Sequence, residues 1–364
     1  MEKQLKRILF ITNIPAPYRI DFYNELGRYY DLTVIFEAKR APGITFNWKE
    51  DAISRFKAIF LKDGEIQEKK VDWSIFRYIS KLKYDSIVIT NYAYATEMVA
   101  LLSLKIRKIP YYYEIDGAMA NYGESPVKRL IKRFFLSGAK AYISPSKVSD
   151  EYIRYYAGSN VKIYRYPFTS LMEKDFPQEL PDKKRKIALR QKLGINESKM
   201  VLAVGQFIYR KGFDILLKAA SKLNPSIGIY IVGGKPTDEY LFLQKKLNLR
   251  NVHFEGFKSK EELSTYFLAS DIFVHPTRED IWGLVINEAM GYGLPVITTD
   301  KCVAGIEMLP SKCIIQSENI NQLTECVSKL IENEKLMDKL SIRNFNKSKE
   351  YTIETMVKAH LNFL

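Results

Sequence analysis

Residues 271–299, DIFVHPTREDIWGLVINEAMGYGLPVITT, run from a β-branched stretch through a polar loop and an apolar helical stretch into a second β-branched stretch. Strand, helix and strand in that succession form the repeating unit of a parallel sheet, because parallel neighbours need a crossover between them. Two acids, Asp280 and Glu288, stand eight residues apart around Trp-Gly-Leu. The first lies in the loop and the second more than one turn inside the helix. Gly283 allows close backbone approach, and the helix opening leaves the amides near Leu284 and Val285 able to face an anion. Carboxylates accept hydrogen bonds from vicinal hydroxyls such as those of a sugar or a ribose, so the two acids can reach opposite ends of one extended ligand. A capping acid followed by an exposed helical glutamate fits the same residues.

The same alternation extends in both directions. Strands are expected at RILFITN, LTVIF, DSIVIT and AYIS in the first half, and at MVLAVG, GIYIVGG, VHFEG, DIFVHP and LPVITT in the second. Between the halves, residues 162–184 turn from apolar to Pro-rich and charged and read as a linker. A chain of 364 residues favours two domains at about 150 residues each. The expectation is an α/β protein of two Rossmann-like domains facing across a cleft, spanning residues 1–168 and 169–345. After a last strand at KCIIQ the chain reads as helical, and residues 346–364 are expected to pack back on the N-terminal domain.

Open parallel sheets bind ligands beyond the carboxyl ends of their strands, which directs attention to the loops there. GQFIYRKGFDILLKAA, residues 205–220, sets Arg210 and Lys211 in a turn closed by Gly212 before an amphipathic helix. A guanidinium fork and an ammonium point charge beside a helix start suit a phosphate; two solvated surface cations are the plainer alternative. NIPAPYR, residues 13–19, puts Tyr18 and Arg19 after two prolines at the mouth of the first strand. Arg19 there suits an acceptor or diphosphate contact and equally a salt bridge.

Composition narrows the classes. With 46% hydrophobic and 27% charged residues the chain is an ordinary globular protein. Its net charge of +14 is uneven, with 28 Lys/Arg against 18 Asp/Glu in residues 1–170, which favours anionic partners for the N-terminal half. Lys128, Arg129, Lys132 and Arg133 recur at helical spacing beside Leu130, Ile131, Phe134 and Phe135. That pattern fits either a solvated basic face or peripheral contact of residues 127–135 with an anionic membrane. No nucleic-acid recognition motif accompanies the charge, so no nucleic acid is expected as partner. Cys302, Cys313 and Cys326 lack zinc-type spacing, so reduced thiols are expected, with no disulfide and no metal. No apolar run reaches the roughly 20 residues of a membrane span, and Asn13, two prolines and Arg19 interrupt any signal-peptide core. The expected location is cytoplasmic, with peripheral attachment at the inner face of the cell membrane.

DIWGLVINEAMGYGLPVI, residues 280–297, resembles the E-x7-E signature of family 4 retaining glycosyltransferases of the GT-B fold, with Asp280 on the first acid and Glu288 on the second. GQFIYRKGFDILLKA resembles that family's G-R-x-x-x-x-K-G-x-D-x-L-L-x-A, with Lys211 on the lysine and Gln206 in place of the arginine. LAVGQ, FEGF, LASDIFVHPT and LPVITTD follow in the family's order, so the resemblance covers nearly the whole chain. It implies that Lys211 neutralises a donor diphosphate, that Glu288 holds the nucleotide ribose and that Asp280 binds hydroxyls of the donor sugar. Gly283, Leu284 and Val285 would offer backbone donors, and Arg210 would supply the cation that Gln206 lacks.

The N-terminal half departs from the family's pattern, with NIPAPYR in place of a Gly-rich loop and YYYEIDGAM in place of a His-Gly pair. His253, His275 and His360 all lie in the second half, so no histidine is expected to do an active-site job from the N-terminal domain. Asp116 is expected to contact donor sugar or acceptor there, with Glu114 or a backbone carbonyl as alternatives and Tyr18 and Arg19 on the acceptor side. His275 reads as structural. The implied activity is retaining, metal-independent transfer of a sugar from a nucleotide-sugar, a substrate rather than a cofactor, to a saccharide or lipid-linked oligosaccharide acceptor in cell-surface polysaccharide biosynthesis. The alternative is a degenerate GT-B protein that binds or stabilises another transferase. Dinucleotide-dependent oxidoreduction is disfavoured because neither leading strand is followed by G-x-G-x-x-G.

Overall fold

The computed structural model describes residues 5–42, 50–80 and 82–364. The chain divides into two compact units, the first running to Ser170 and adding Thr352–Leu364, the second being Leu171–Tyr351.

Unit 1 is built on β1 (Arg7–Thr12), β2 (Asp31–Phe36), β3 (Lys57–Phe60), β4 (Ser86–Ile89), β5 (Tyr112–Glu114), β6 (Ala141–Ser144) and β7 (Ile163–Arg165). These pair in parallel in the order β3-β2-β1-β4-β5-β6-β7. Its helices are α1 (Pro17–Leu26), α2 (Ala95–Ile106), α3 (Pro126–Leu136) and α4 (Lys147–Ala157). β1 is buried from Ile8 to Thr12, because a central parallel strand is covered on both faces and takes a continuous apolar run.

Unit 2 repeats the plan with β8 (Lys199–Val204), β9 (Ile227–Val232), β10 (Val252–Glu255), β11 (Ile272–His275), β12 (Val296–Thr299) and β13 (Ile314–Ile315). All are parallel, in the order β10-β9-β8-β11-β12-β13. The helices are α5 (Lys183–Lys192), α6 (Phe213–Ala220), α7 (Asp238–Lys246), α8 (Lys260–Ala269), α9 (Leu284–Gly291), α10 (Val303–Met308), α11 (Ile320–Glu332) and α12 (Glu334–Ser348). α13 (Ile353–Leu361) then rejoins unit 1, packing on α1.

In each sheet the strand order reverses direction beside the first strand, between β1 and β4 and between β8 and β11. Such a switch point opens a crevice at the carboxyl ends of the strands. Two sequence expectations shift. The stretch read as linker begins with the edge strand β7. The return to unit 1 comes at Thr352, not at residue 346, since α12 runs through Ser348 and Asn344 Nδ2 donates to the Leu294 carbonyl at 2.8 Å inside unit 2. Among the described residues no helix is long and apolar enough to cross a membrane.

Candidate active site

Unit 2 brings the loops after β8 and β11 together at its switch point. The turn Tyr209–Lys211 ends at Gly212, whose φ of 69° is left-handed, and a Cβ built there would lie 2.0 Å from the Pro276 carbonyl oxygen. Only glycine fits a backbone approach that close. The second loop grips the first by its backbone. Thr277 Oγ1 donates to the Arg210 carbonyl at 2.9 Å, the Arg278 amide donates to it at 2.8 Å, and Arg278 Nη1 donates to the Tyr209 carbonyl at 2.7 Å. Arg278 also forks Asp214 at 2.7 and 2.9 Å with its guanidinium over the Tyr209 ring.

At the centre stands Asp280, buried and fully engaged. Its Oδ2 accepts from Lys211 Nζ at 2.7 Å and from His275 Nε2 at 3.0 Å, while Arg210 Nη1 lies 3.6 Å from Oδ1. Burial opposes the charge on Asp280, but the hydrogen bond from His275 and the nearby Lys211 ammonium outweigh it and hold the carboxyl well below the usual range. Burial is also the main influence on His275, lowering its pKa, so the imidazole is neutral at pH 7 and donates through Nε2. Its Nδ1 is buried and has no hydrogen-bond partner among the described residues.

Lys211 has three N–H donors, of which Asp280 takes one. Arg210 spends Nη1 on the Glu279 carbonyl at 2.7 Å and keeps a side chain 43% exposed. Gln206 is exposed in the same loop. Asp280 is thus neutralised twice over, and the loop keeps an excess of positive charge that a diphosphate would fill.

Beside this cluster, Gly283 caps α9 with φ 97°, and a Cβ there would come within 2.8 Å of Cys302 Sγ. The amides of Leu284 and Val285 open the helix and have no intrahelical acceptor. The turn before it is held from behind: Trp282 Nε1 donates to Asn287 Oδ1 at 2.8 Å, the Ala304 amide to the Trp282 carbonyl at 2.9 Å, and Cys302 Sγ to the same carbonyl at 3.2 Å. Glu288 is half-buried on α9. Burial pushes the Cys302 thiol up to about 12, so it is a packing group and not a nucleophile.

Unit 1 gathers a second polar cluster at the carboxyl ends of β1 and β5. Ala16 is extended before Pro17, as a residue preceding proline is, and Pro17 starts α1 so that Tyr18 and Arg19 fall in its first turn. Arg19 Nη2 meets Asp116 Oδ2 at 2.5 Å, and Tyr18 Oη donates to the same oxygen at 3.1 Å. Burial raises the pKa of Asp116, and Glu114 adds to this against the pull of Arg19. Asp116 Oδ1 is buried without a partner among the described residues.

Glu114, on β5 and 0% exposed, receives His360 from α13, with Nε2 3.2 Å from its Oε2. His360 Nδ1 lies 2.7 Å from the Met356 carbonyl, which can only accept, so Nδ1 carries a proton. His360 is distant in sequence but belongs to unit 1, because α13 returns there, and it makes a buried pairing with Glu114.

The structure therefore joins Lys211, Arg210, Asp280 and, through a shared loop, Gly283 in unit 2, and Tyr18, Arg19 and Asp116 in unit 1, with Glu114 adjacent in the chain to the last cluster. Sequence reasoning missed the roles of Thr277, the last residue of the quoted LASDIFVHPT, and of Arg278 beside it, and the pairing of His360, for which no local signal exists.

Residues 185–347 match the family described as "Glycosyl transferases group 1". Over 168 residues the chain is 30% identical to the lipopolysaccharide glucosyltransferase WaaG of Escherichia coli, covering 44% of each chain. Over 260 residues it is 24% identical to the N,N'-diacetylbacillosaminyl-diphospho-undecaprenol alpha-1,3-N-acetylgalactosaminyltransferase of Campylobacter jejuni, covering 68% of each. The chain spans about half the length of the first curated relatives it matches, 44% and 50%. Among solved structures, Anabaena HepE in complex with UDP superposes with a TM-score of 0.77 at 16% identity, covering 98% of both chains. The fold is GT-B.

Proposed function

With residues 185–347 belonging to the glycosyl transferases group 1, we propose that the chain is a glycosyltransferase that moves a sugar from a nucleotide-sugar to a saccharide or lipid-linked acceptor in cell-surface polysaccharide assembly. The observation that carries this reading is the Lys211–Asp280–His275 cluster, set with Arg210 beside the start of α9. In this reading Asp280 orients Lys211 as much as it meets a sugar hydroxyl, and Lys211 turns its remaining donors to the diphosphate. Arg210 stands in for the arginine absent at Gln206. Glu288 holds the ribose, and the amides of Leu284 and Val285 share the phosphate charge. WaaG is named as a glucosyltransferase and the Campylobacter relative as acting on a diphospho-undecaprenol acceptor, which supports the donor and acceptor classes.

Two cations and helix amides are enough to stabilise a departing diphosphate, so the reaction is taken to run without a metal and to persist in chelator. Retention follows from same-face attack in which the leaving phosphate oxygen receives the acceptor's proton. Unit 1 is assigned the acceptor, through Tyr18, Arg19 and Asp116; Glu114, expected on the acceptor side, is wholly buried against His360 and does not reach it.

The test is transfer and donor hydrolysis with a panel of UDP- and GDP-sugars, the anomer of the product being read by NMR. Lys211→Ala is expected to lower turnover about 100-fold or more, and Glu288→Gln to weaken nucleotide binding about tenfold. Nucleotide binding by the wild type without turnover would assign the chain to the degenerate, partner-stabilising role. Wild-type activity in Lys211→Ala would remove the site assignment, and near-normal donor binding in Arg210→Ala would remove the compensation argument.

A further inference from the structure

Arg210, Lys211 and Arg278 are three cations in the loops after β8 and β11, but their donors are spent differently. The side chain of Arg278 is 12% exposed, and each of its five guanidinium N–H groups meets an acceptor within the protein. Nη1 donates to the Tyr209 carbonyl and to Asp214 Oδ1, both at 2.7 Å. Nη2 donates to Asp214 Oδ2 at 2.9 Å and to Glu318 Oε2 at 3.2 Å, and Nε donates to Glu318 Oε1. No N–H of Arg278 is left over for a ligand.

Glu318 belongs to a third loop, between β13 and α11. Its backbone stands at φ 68°, a left-handed conformation that is unfavourable for a residue with a Cβ and persists where the surrounding structure fixes it. That loop is pinned on its near side: the Ser317 amide donates to Asp300 Oδ1 at 2.8 Å and the Gln316 amide to Gln322 Oε1 at 2.9 Å. The Glu318 side chain is 55% exposed, so water is available to its carboxylate. The loop nevertheless holds it against a guanidinium that is almost enclosed.

We propose that Arg278 is a positioning residue for the donor diphosphate, clamped between Asp214 and Glu318 so that it fixes the turn that aims Arg210 and Lys211. The inference rests on the donor site proposed above. Arg278 grips both peptide units that flank Arg210, since its side chain takes the Tyr209 carbonyl and its amide takes the Arg210 carbonyl at 2.8 Å. Its guanidinium also lies 3.8 Å over the Tyr209 ring and closes the turn from that side. Two carboxylates around one guanidinium leave the group with a net negative charge, so it gives an anion site position and not attraction. A lysine would keep the charge of Arg278, but its three donors radiate from one point and cannot serve the carbonyl and both carboxylates in one plane.

The experiment is calorimetric titration of the full chain with inorganic pyrophosphate, UDP and GDP, beside the thermal unfolding midpoint of each variant. Arg278→Gln is expected to weaken binding about tenfold or more, because a turn displaced by a fraction of an ångström no longer presents its cations together. Arg278→Lys should stay within about threefold of Arg278→Gln instead of recovering. Glu318→Ala should weaken binding about threefold, whereas charge alone predicts tighter binding once an acid is removed. Glu318 is exposed, so this variant tests the clamp even where Arg278→Gln fails to fold. Wild-type affinity in a folded Arg278→Gln, recovery in Arg278→Lys, or unchanged or tighter binding in Glu318→Ala overturns the proposal. A wild type that binds neither pyrophosphate nor nucleotide removes the donor site and the clamp with it. A wild type that binds them, matched by its variants, removes the clamp alone.

Discussion

At Glu97, in the first turn of α2, the carboxyl is 1% exposed and has no hydrogen-bond partner among the described residues. Burial, reinforced by the charge of Glu37 and eased by Arg19, pushes it up to about 8. Lys62, Asp72, Tyr94 and Tyr113 are the other titratable groups near this pair. The folded chain therefore keeps a proton that the unfolded chain releases near pH 4.5. Between those values the native state binds more protons, so its stability falls as pH rises through the window, by on the order of 5 kcal/mol in all. Glu97→Gln removes this titration, so its urea midpoint should decline less between about pH 5 and about pH 8 than that of the wild type. Parallel profiles would contradict the assignment. Asp280 has the opposite sign, its contribution being lost only in acid below the normal carboxylate range. At Gly212 the constraint is steric. Gly212→Ala would drive a methyl against the Pro276 carbonyl at 2.0 Å, so the loops of β8 and β11 must part. The expected cost is about 2–4 kcal/mol, with loss of nucleotide binding in a titration because Lys211 and Asp280 separate.

Elements differ in how openly the sequence announces them. β1, β2, β8, β9 and β11 are central strands, and their unbroken apolar runs mark them. β3 and β7 are edge strands whose residues are mostly half-exposed, and β5 is three residues long, so YYYEI reads as well as an aromatic surface as a strand. The β11–α9 stretch was legible because its glycines and acids sit at fixed offsets within one βαβ unit. Helix α13 and its return to the N-terminal domain were legible, but the residue it pairs with was not: His360 and Glu114 are 246 residues apart, and only tertiary packing joins them. The ring of His360 is wedged between Phe22 at 4.8 Å and Tyr166 at 5.2 Å. His360→Phe keeps that packing and removes the partner of Glu114, leaving a wholly buried carboxyl unpaired. It should cost about 2–3 kcal/mol in thermal unfolding, and Glu114→Gln in the same background should recover part of it. No loss in His360→Phe would show the buried pairing with Glu114 to be unimportant.

At the scale of the whole molecule, unit 2 is one continuous segment and unit 1 is closed only by the last residues of the chain. Ile353, Met356, Val357 and His360 are each 2% exposed or less. The Phe363 carbonyl accepts from Tyr112 Oη at 2.9 Å and its ring stacks on Tyr164 at 4.7 Å, so the terminus covers β5 and β7 as well as α1. Burying three large apolar side chains contributes roughly 5–8 kcal/mol, comparable with the whole stability of about 5–15 kcal/mol typical of a domain. Removing residues 352–364 should therefore unfold unit 1 although more than 160 of its residues remain. Unit 2 keeps its own core, its Lys211–Asp280–His275 cluster and its helix cap, none of which draws on the deleted segment. Limited proteolysis of the truncated chain should cut throughout residues 5–165 and leave a fragment near Leu171–Tyr351 intact. UDP or GDP should slow further cleavage of that fragment, since a ligand at 100 times its Kd stabilises the native state by about 2.7 kcal/mol. Cleavage of both units at equal rates would show that unit 2 depends on the returning helix after all.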